Sequence, residues 1–395
     1  MPPSPIAAVG WSRKRVLRYA RSVPEPDLDA ILTALEQVID PELQRPVTEL
    51  DMVRDVSSTD GVVSLTIVLT IAGCPLRESF QQQVDKALAT VPGVRGFELS
   101  FGVMTPEERQ ALTTKLRGGA PERDNVIRLP SNCRVIAVAS GKGGVGKSSL
   151  SANLAVAFSQ LGKRVGILDA DIYGHSIPHI LGIHQKPVAV DEMIVPPVKD
   201  GLKLMSIGFF LDDNEPVMWR GPMLHKALEQ FLTDVHWGEI DMLVVDMPPG
   251  TGDVSISLGQ LLPRAEVVVV TTPQKLAQDV ASRAASMARK TNMRVLGVIE
   301  NMVGDVFGAG GGEALAAQLE VPLLGQVLLD PLLREQGDLG EPIVASHPDS
   351  ETARTIVGMI LMGLMWLVID QFYLRPIERA TVQRWGLTTE AEQRG

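Results

Sequence analysis

From residue 134 onward, short apolar runs alternate with helical patterns. The runs are Val135–Ala139, Arg164–Leu168, Leu202–Ser206, Met242–Val245, Val267–Thr271, Arg294–Ile299 and Leu323–Val327. Runs this short and this apolar read as strands buried on both faces. Helical spacing fills most of the intervals, so the pattern predicts an α/β fold, a parallel sheet covered by helices. Ligands then sit at the C-terminal ends of the strands. Ahead of residue 134 the periods are mixed. Leu28, Ile31, Leu32, Leu35, Val38 and Ile39 share one helical face, and Asp40-Pro41 ends that helix. Val62–Ile71 is β-rich, Leu76–Val91 helical, Gly93–Phe101 a further strand and Thr105–Leu116 a closing helix. The expected organisation is a flexible N-terminus over 1–26, a small α+β domain over 27–117, a polar linker over 118–133, the α/β domain over 134–354 and an apolar tail over 355–395.

Composition narrows the class. With 395 residues, 45% hydrophobic and 21% charged, the chain is globular and has room for about two domains. A net charge of −10 argues against broad nucleic-acid binding. Two cysteines, Cys74 and Cys133, make no disulfide framework and suit a reducing, cytoplasmic setting. No signal peptide is evident behind the basic patch Arg13-Lys14-Arg15.

The chemistry concentrates where the first α/β strand ends. Ser140-Gly141-Lys142-Gly143-Gly144-Val145-Gly146-Lys147-Ser148-Ser149 follows a strand and opens a helix, the context a phosphate-binding P-loop requires. Glycines let backbone N–H groups turn inward on phosphate oxygens, and the helix N-terminus adds its partial positive charge. Lys147 reaches the terminal phosphates and the Ser148 hydroxyl takes a place on Mg²⁺. Gly141-x-Gly143-x-x-Gly146 also fits a dinucleotide fingerprint, with Asp169 and Asp171 near the distance of a ribose acid. That alternative leaves Lys147-Ser148 and a second acidic strand end without a role. The second strand end is Asp246, followed by Met247-Pro248-Pro249-Gly250-Thr251-Gly252-Asp253. A carboxylate there serves Mg²⁺, and the loop after it reads as a switch. Asp171 is chosen to orient or deprotonate the attacking water and Asp169 to be structural, although the sequence leaves the two exchangeable.

Lys142, one residue after the first glycine, is not needed by an ordinary P-loop. With it, the loop resembles the deviant Walker A of the MinD/ParA/nitrogenase-iron-protein class. Within that class, Asp169-Ala170-Asp171-Ile172-Tyr173-Gly174-His175-Ser176-Ile177-Pro178, Trp219-Arg220-Gly221-Pro222-Met223, the Asp246–Asp253 run, Glu300-Asn301-Met302 and Phe307-Gly308-x-Gly310-Gly311-Gly312-Glu313 resemble the Mrp/ApbC family of iron–sulfur cluster carriers. Asp40-Pro41-Glu42-Leu43 and Gly73-Cys74-Pro75 are similar to the SufT/PaaD-like iron–sulfur assembly domain. The resemblance implies an ATP-dependent homodimer in which Lys142 contacts the partner's nucleotide and Asn301 contacts adenine. Its cargo would be an iron–sulfur cluster passed to apoproteins or shared with assembly factors.

Two stretches depart from that family. Members that hold a cluster usually carry a Cys-x-x-Cys between the Glu-Asn-Met and Phe-Gly elements, giving four thiolates across the dimer. Here Glu300-Asn301-Met302-Val303-Gly304-Asp305-Val306-Phe307 runs through without a cysteine, so a cluster bridged in that way cannot form. Cys74 then remains as a cluster or partner ligand, or as a buried apolar residue, and Cys133 matches no motif. The other departure is the tail. Thr355–Ile369 carries no charge but is shorter than the roughly 20 apolar residues of a spanning helix. Ile356–Gly386, with Leu374-Arg375-Pro376-Ile377-Glu378-Arg379, is similar instead to the end of nitrate/taurine-type transporter permeases. The tail packs on the domain or touches membrane. The expected function is therefore an ATP-hydrolysing iron–sulfur cluster carrier. The alternatives are a MinD/ParA-like membrane-associated switch and a nucleotide-gated scaffold that holds no cluster.

Overall fold

Hydrophobic alternation and turn chemistry build the first unit. The computed structural model describes residues 26–70, 76–116, 127, 129–211 and 221–369. Cys74 with Gly73 and Pro75, Trp219 and Arg220, most of the expected linker, the N-terminal segment up to 25 and the tail beyond 369 lie outside the described residues. The chain divides into two compact units, Met1–Asp124 with Ala189–Val195, and Asn125–Val188 with Pro196–Gly395.

In the first unit, α1 (Leu28–Leu35) is capped by the Asp27 carboxylate and buries Ile31, Ala34 and Leu35. β1 (Val53–Thr59) and β2 (Val62–Leu69) form an antiparallel hairpin. Its turn, Asp60-Gly61, has φ of 52° and 77°, the positive pair that matches strand twist. α2 (Arg77–Leu88) carries the chain over to β3 (Gly96–Val103), parallel to β2, and α3 (Pro106–Leu116) closes the unit. Phe80, Val84, Leu50, Met52 and Ile67 fill the core. The sequence pattern did not predict β1, because its Arg54, Asp55, Ser57 and Ser58 are those of a polar edge strand.

The second unit is the expected parallel sheet. Its spine is β4 (Arg134–Ser140), followed by α4 (Lys147–Gln160), β5 (Val165–Asp169) and the short α5 (Ile177–Ile180). The chain then makes β6 (Val188–Val190) and β7 (Met193–Val195), a two-stranded pair absent from the sequence reading because each strand is only three residues long. Residues 189–195 of that pair group with the first unit, not with the α/β domain expected over 134–354. β8 (Val198–Lys199), β9 (Leu202–Ser206), α6 (Gly221–Thr233), β10 (Met242–Asp246), α7 (Asp253–Leu261), β11 (Glu266–Thr271) and α8 (Lys275–Lys290) follow. β12 (Arg294–Val303), α9 (Gly311–Leu319), β13 (Leu323–Leu328), α10 (Pro331–Leu339), α11 (Ile343–Ser346) and α12 (Glu351–Ile369) complete it. The strand order is β13-β12-β11-β4-β10-β5-β9-β8, parallel except for β8. β4 lies between β10 and β11, so its C-terminal end opens between two neighbouring strand ends.

α12 packs the described start of the tail on the second unit. The helix begins at Glu351, so the boundary expected at 354 falls inside it. Ala353, Ile356, Met359 and Ile360 are buried in the core of the unit, against β13 and α4. A Cβ on Gly325 would lie 2.4 Å from Met359 Cγ, which shows how tightly the helix meets the sheet. Burial of side chains of this size is worth about 1.5–3 kcal/mol each. Among the described residues, no helix is long and apolar enough to cross a membrane.

Candidate functional site

The glycine loop takes its shape from its neighbours. The backbone of α8 passes so close that a Cβ on Gly141 would sit 2.2 Å from the Val280 carbonyl carbon. Gly146, with φ of 79°, caps α4 in the left-handed region, where other residues are strained. Lys142, Gly143, Gly144, Ser148 and Ser149 line a cavity of about 760 Å³, together with Tyr173, Leu329, Arg334 and Asp338. That volume lies within the range of small-molecule sites.

Lys147 is only 6% exposed, and its ammonium does not point into water. Lys147 Nζ donates to Asp246 Oδ2 at 2.7 Å and lies 3.7 Å from Asp171 Oδ2. The Ser148 hydroxyl donates to the same Asp246 oxygen at 2.6 Å. Ser151, one helical turn on from Lys147, lies 2.6 Å from Asp246 Oδ1 and fixes the other side of the carboxylate. Ser151 was missed from the sequence because it falls within the apolar pattern of α4. Alignment of the strand ends brings these groups together: Asp246 pairs with Val138 of β4 on one side and with Asp169 of β5 on the other.

The two aspartates at the end of β5 and just beyond it separate clearly. Asp169 is wholly buried. Its Oδ2 accepts from the Ser206 hydroxyl at 3.0 Å and from Ile177 N, and its Oδ1 accepts from Asp171 N. Burial, then the charge of Asp246, holds its carboxyl well above the usual range. Asp171 lines the cavity and accepts from Gly174 N at 3.2 Å. Burial raises its pKa as well, while Lys147 pulls it down. The segment after Asp246 is tied to β4, with Gly250 N donating to Ser140 O at 2.8 Å.

Asn301, at the end of β12, also lines the cavity. Its Nδ2 donates to Val145 O at 2.8 Å, so the side chain braces the loop from behind. Its Oδ1 has no protein partner among the described residues. The oxygens of Ser148 and Asp246 form a hard donor set that fits Mg²⁺. Thiols are scarce. Cys133 is half-buried, and burial followed by the Asp241 charge pushes its thiol up to about 11, a poor starting point for a metal thiolate. Among the described residues, no three His, Cys, Asp or Glu side chains form a metal-binding group. The stretch after Asn301 closes on itself instead. Gly304 N donates to Gly308 O at 3.1 Å and Gly308 N to Gly304 O at 2.7 Å.

Similarity to known proteins covers both parts of the chain. Residues 132–361 match the ParA family profile, described as NUBPL iron-transfer P-loop NTPase, and residues 28–99 match an iron-sulfur cluster assembly protein profile. An iron-sulfur cluster carrier protein of Mycobacterium leprae is 50% identical over 345 residues, covering 83% of this chain and 90% of the relative. One from Synechocystis sp. is 44% identical, covering 84% and 95%. A solved nucleotide-binding protein of Archaeoglobus fulgidus, in complex with ADP, is 37% identical with a TM-score of 0.48, covering 55% of this chain and 89% of its own. The chain therefore belongs to the ParA family of iron-transfer P-loop NTPases, with an iron-sulfur cluster assembly domain ahead of the NTPase fold.

Proposed function

We propose that this chain binds ATP with magnesium, hydrolyses it slowly as a cytoplasmic homodimer, and uses the cycle to bind iron–sulfur clusters and pass them to apoproteins. One observation carries the nucleotide reading: Lys147 and Ser148 converge on one oxygen of Asp246 beneath a glycine loop. In this reading Lys147 and the loop amides hold the phosphates, and Ser148 and Asp246 hold Mg²⁺. The metal, when bound, offsets the charge that builds on the phosphoryl oxygens. Asp171 orients the attacking water. The new bond forms between the water oxygen and the γ-phosphorus, the bond to the bridging oxygen breaks, and ADP leaves with its electrons. The water proton passes to Asp171 or to the released phosphate. Asn301 Oδ1 accepts from the exocyclic amine of adenine, and Lys142 of one copy touches the nucleotide of the other. The names of the relatives support the cargo. Lys147→Ala is expected to abolish ATP turnover, measured as phosphate release; retained turnover refutes the site assignment.

A second reading is a nucleotide-gated scaffold without a cluster. The closed Gly304–Gly308 turn, in a segment without cysteine, favours it. Anaerobic reconstitution with iron and sulfide separates the two. Wild type should take up a cluster and Cys74→Ala should not; no cluster in either leaves the scaffold.

A further inference from the structure

Successive strand residues point to opposite faces, and Glu300 and Asn301 divide the end of β12 in that way. Asn301 faces the P-loop, through its bond to Val145 O. Glu300 lies on the side of α9. Its Oε2 accepts from Gly310 N at 3.2 Å and from Gln326 Nε2 at 2.6 Å. Gly310 is the N-cap of α9, so the positive end of that helix meets the carboxylate. Contact is direct, because a Cβ on Gly312 would lie 2.4 Å from Glu300 Cβ.

Glu300 is wholly buried, and its Oε1 has no protein partner among the described residues. A buried carboxylate is expensive where a neutral side chain of the same shape would fill the space. Its position gives it a use. The turn over 304–310 leaves β12 after Val303, two residues beyond Asn301, with Met302 at φ of 61°. It returns to Glu300 through Gly310 N. One end of the turn thus follows two strand residues after the residue on the P-loop, and the other end is hydrogen-bonded to the residue beside it.

We propose that Glu300 is a positioning residue that aims Asn301 at the nucleotide and couples nucleotide binding to the order of the 304–310 turn. The proposal rests on nucleotide binding at the P-loop. The test uses the full chain with ADP as probe, reading affinity by calorimetry and amide hydrogen exchange over 304–310. In wild type, ADP should slow exchange there. Glu300→Ala should lose that slowing and weaken ADP binding roughly tenfold. Glu300→Gln keeps an acceptor for Gly310 N and should restore both. An intact slowing in Glu300→Ala, or none in a wild type that binds ADP, overturns the proposal. If Glu300→Ala does not fold, Gln326→Ala removes one donor from the same oxygen. It should blunt the slowing, and unchanged slowing overturns the coupling. A wild type that binds no ADP would instead overturn the nucleotide reading.

Discussion

Glu42 shows how one side chain in the first unit carries pH dependence. Burial, then the charge of Asp40, pushes its pKa from 4.5 up to about 7. Asp40 cannot turn away, because its Oδ1 accepts from Glu42 N and Leu43 N, each at 2.8 Å. The folded unit thus takes the Glu42 proton more readily than the unfolded chain does. Its contribution to stability is complete below about 4.5, declines as pH rises through about 7, and then levels off. Glu42→Gln is expected to flatten that decline. Hydrogen exchange of the α1 amides between pH 5 and 8, each rate corrected for intrinsic exchange, would read it, and equal slopes in the two proteins would contradict the assignment. Asp169 and Asp171 give a second lesson at this scale. Their spacing made them interchangeable in the sequence, and partners far along the chain separate them: the Ser206 hydroxyl holds Asp169, and Lys147 lies beside Asp171.

At the scale of elements, α12 offers the clearest test of packing. Gly358 lies inside this helix and a Cβ there would meet nothing within 4 Å. Gly358→Ala should therefore stabilise the second unit by about 0.5–1 kcal/mol, through helix propensity alone. A chemical denaturation midpoint that stays put or falls would mean that α12 does not fold with the core. The elements differed in how plainly the sequence announced them. β4, β10 and β11 were legible because they are buried on both faces and read as unbroken apolar runs. β1 and the β6–β7 pair were not, being polar or very short. The P-loop was legible because its chemistry is local, in one run of residues. Ser151 was hidden because its contact depends on a side chain's direction and on a partner 95 residues away, and Glu300 was read only as part of a motif because its partner Gln326 lies 26 residues on.

For the whole molecule, the proposed homodimer makes Lys142 the residue to watch. It lines the cavity beside the phosphate loop, and in the proposed dimer its charge serves the other copy. Two chains of net charge −10 repel one another, so added salt should favour their association. Turnover per chain is expected to rise with protein concentration in wild type and to stay low and flat in Lys142→Ala. Turnover that is flat in both would remove the dimer from the mechanism. The shared oxygen of Asp246 has a consequence of its own. One atom receives both Lys147 Nζ and the Ser148 hydroxyl, so a single rotation of that carboxylate redirects both at once. Loading the site then has one degree of freedom where two independent contacts would have had two, and no half-engaged intermediate of that pair is expected.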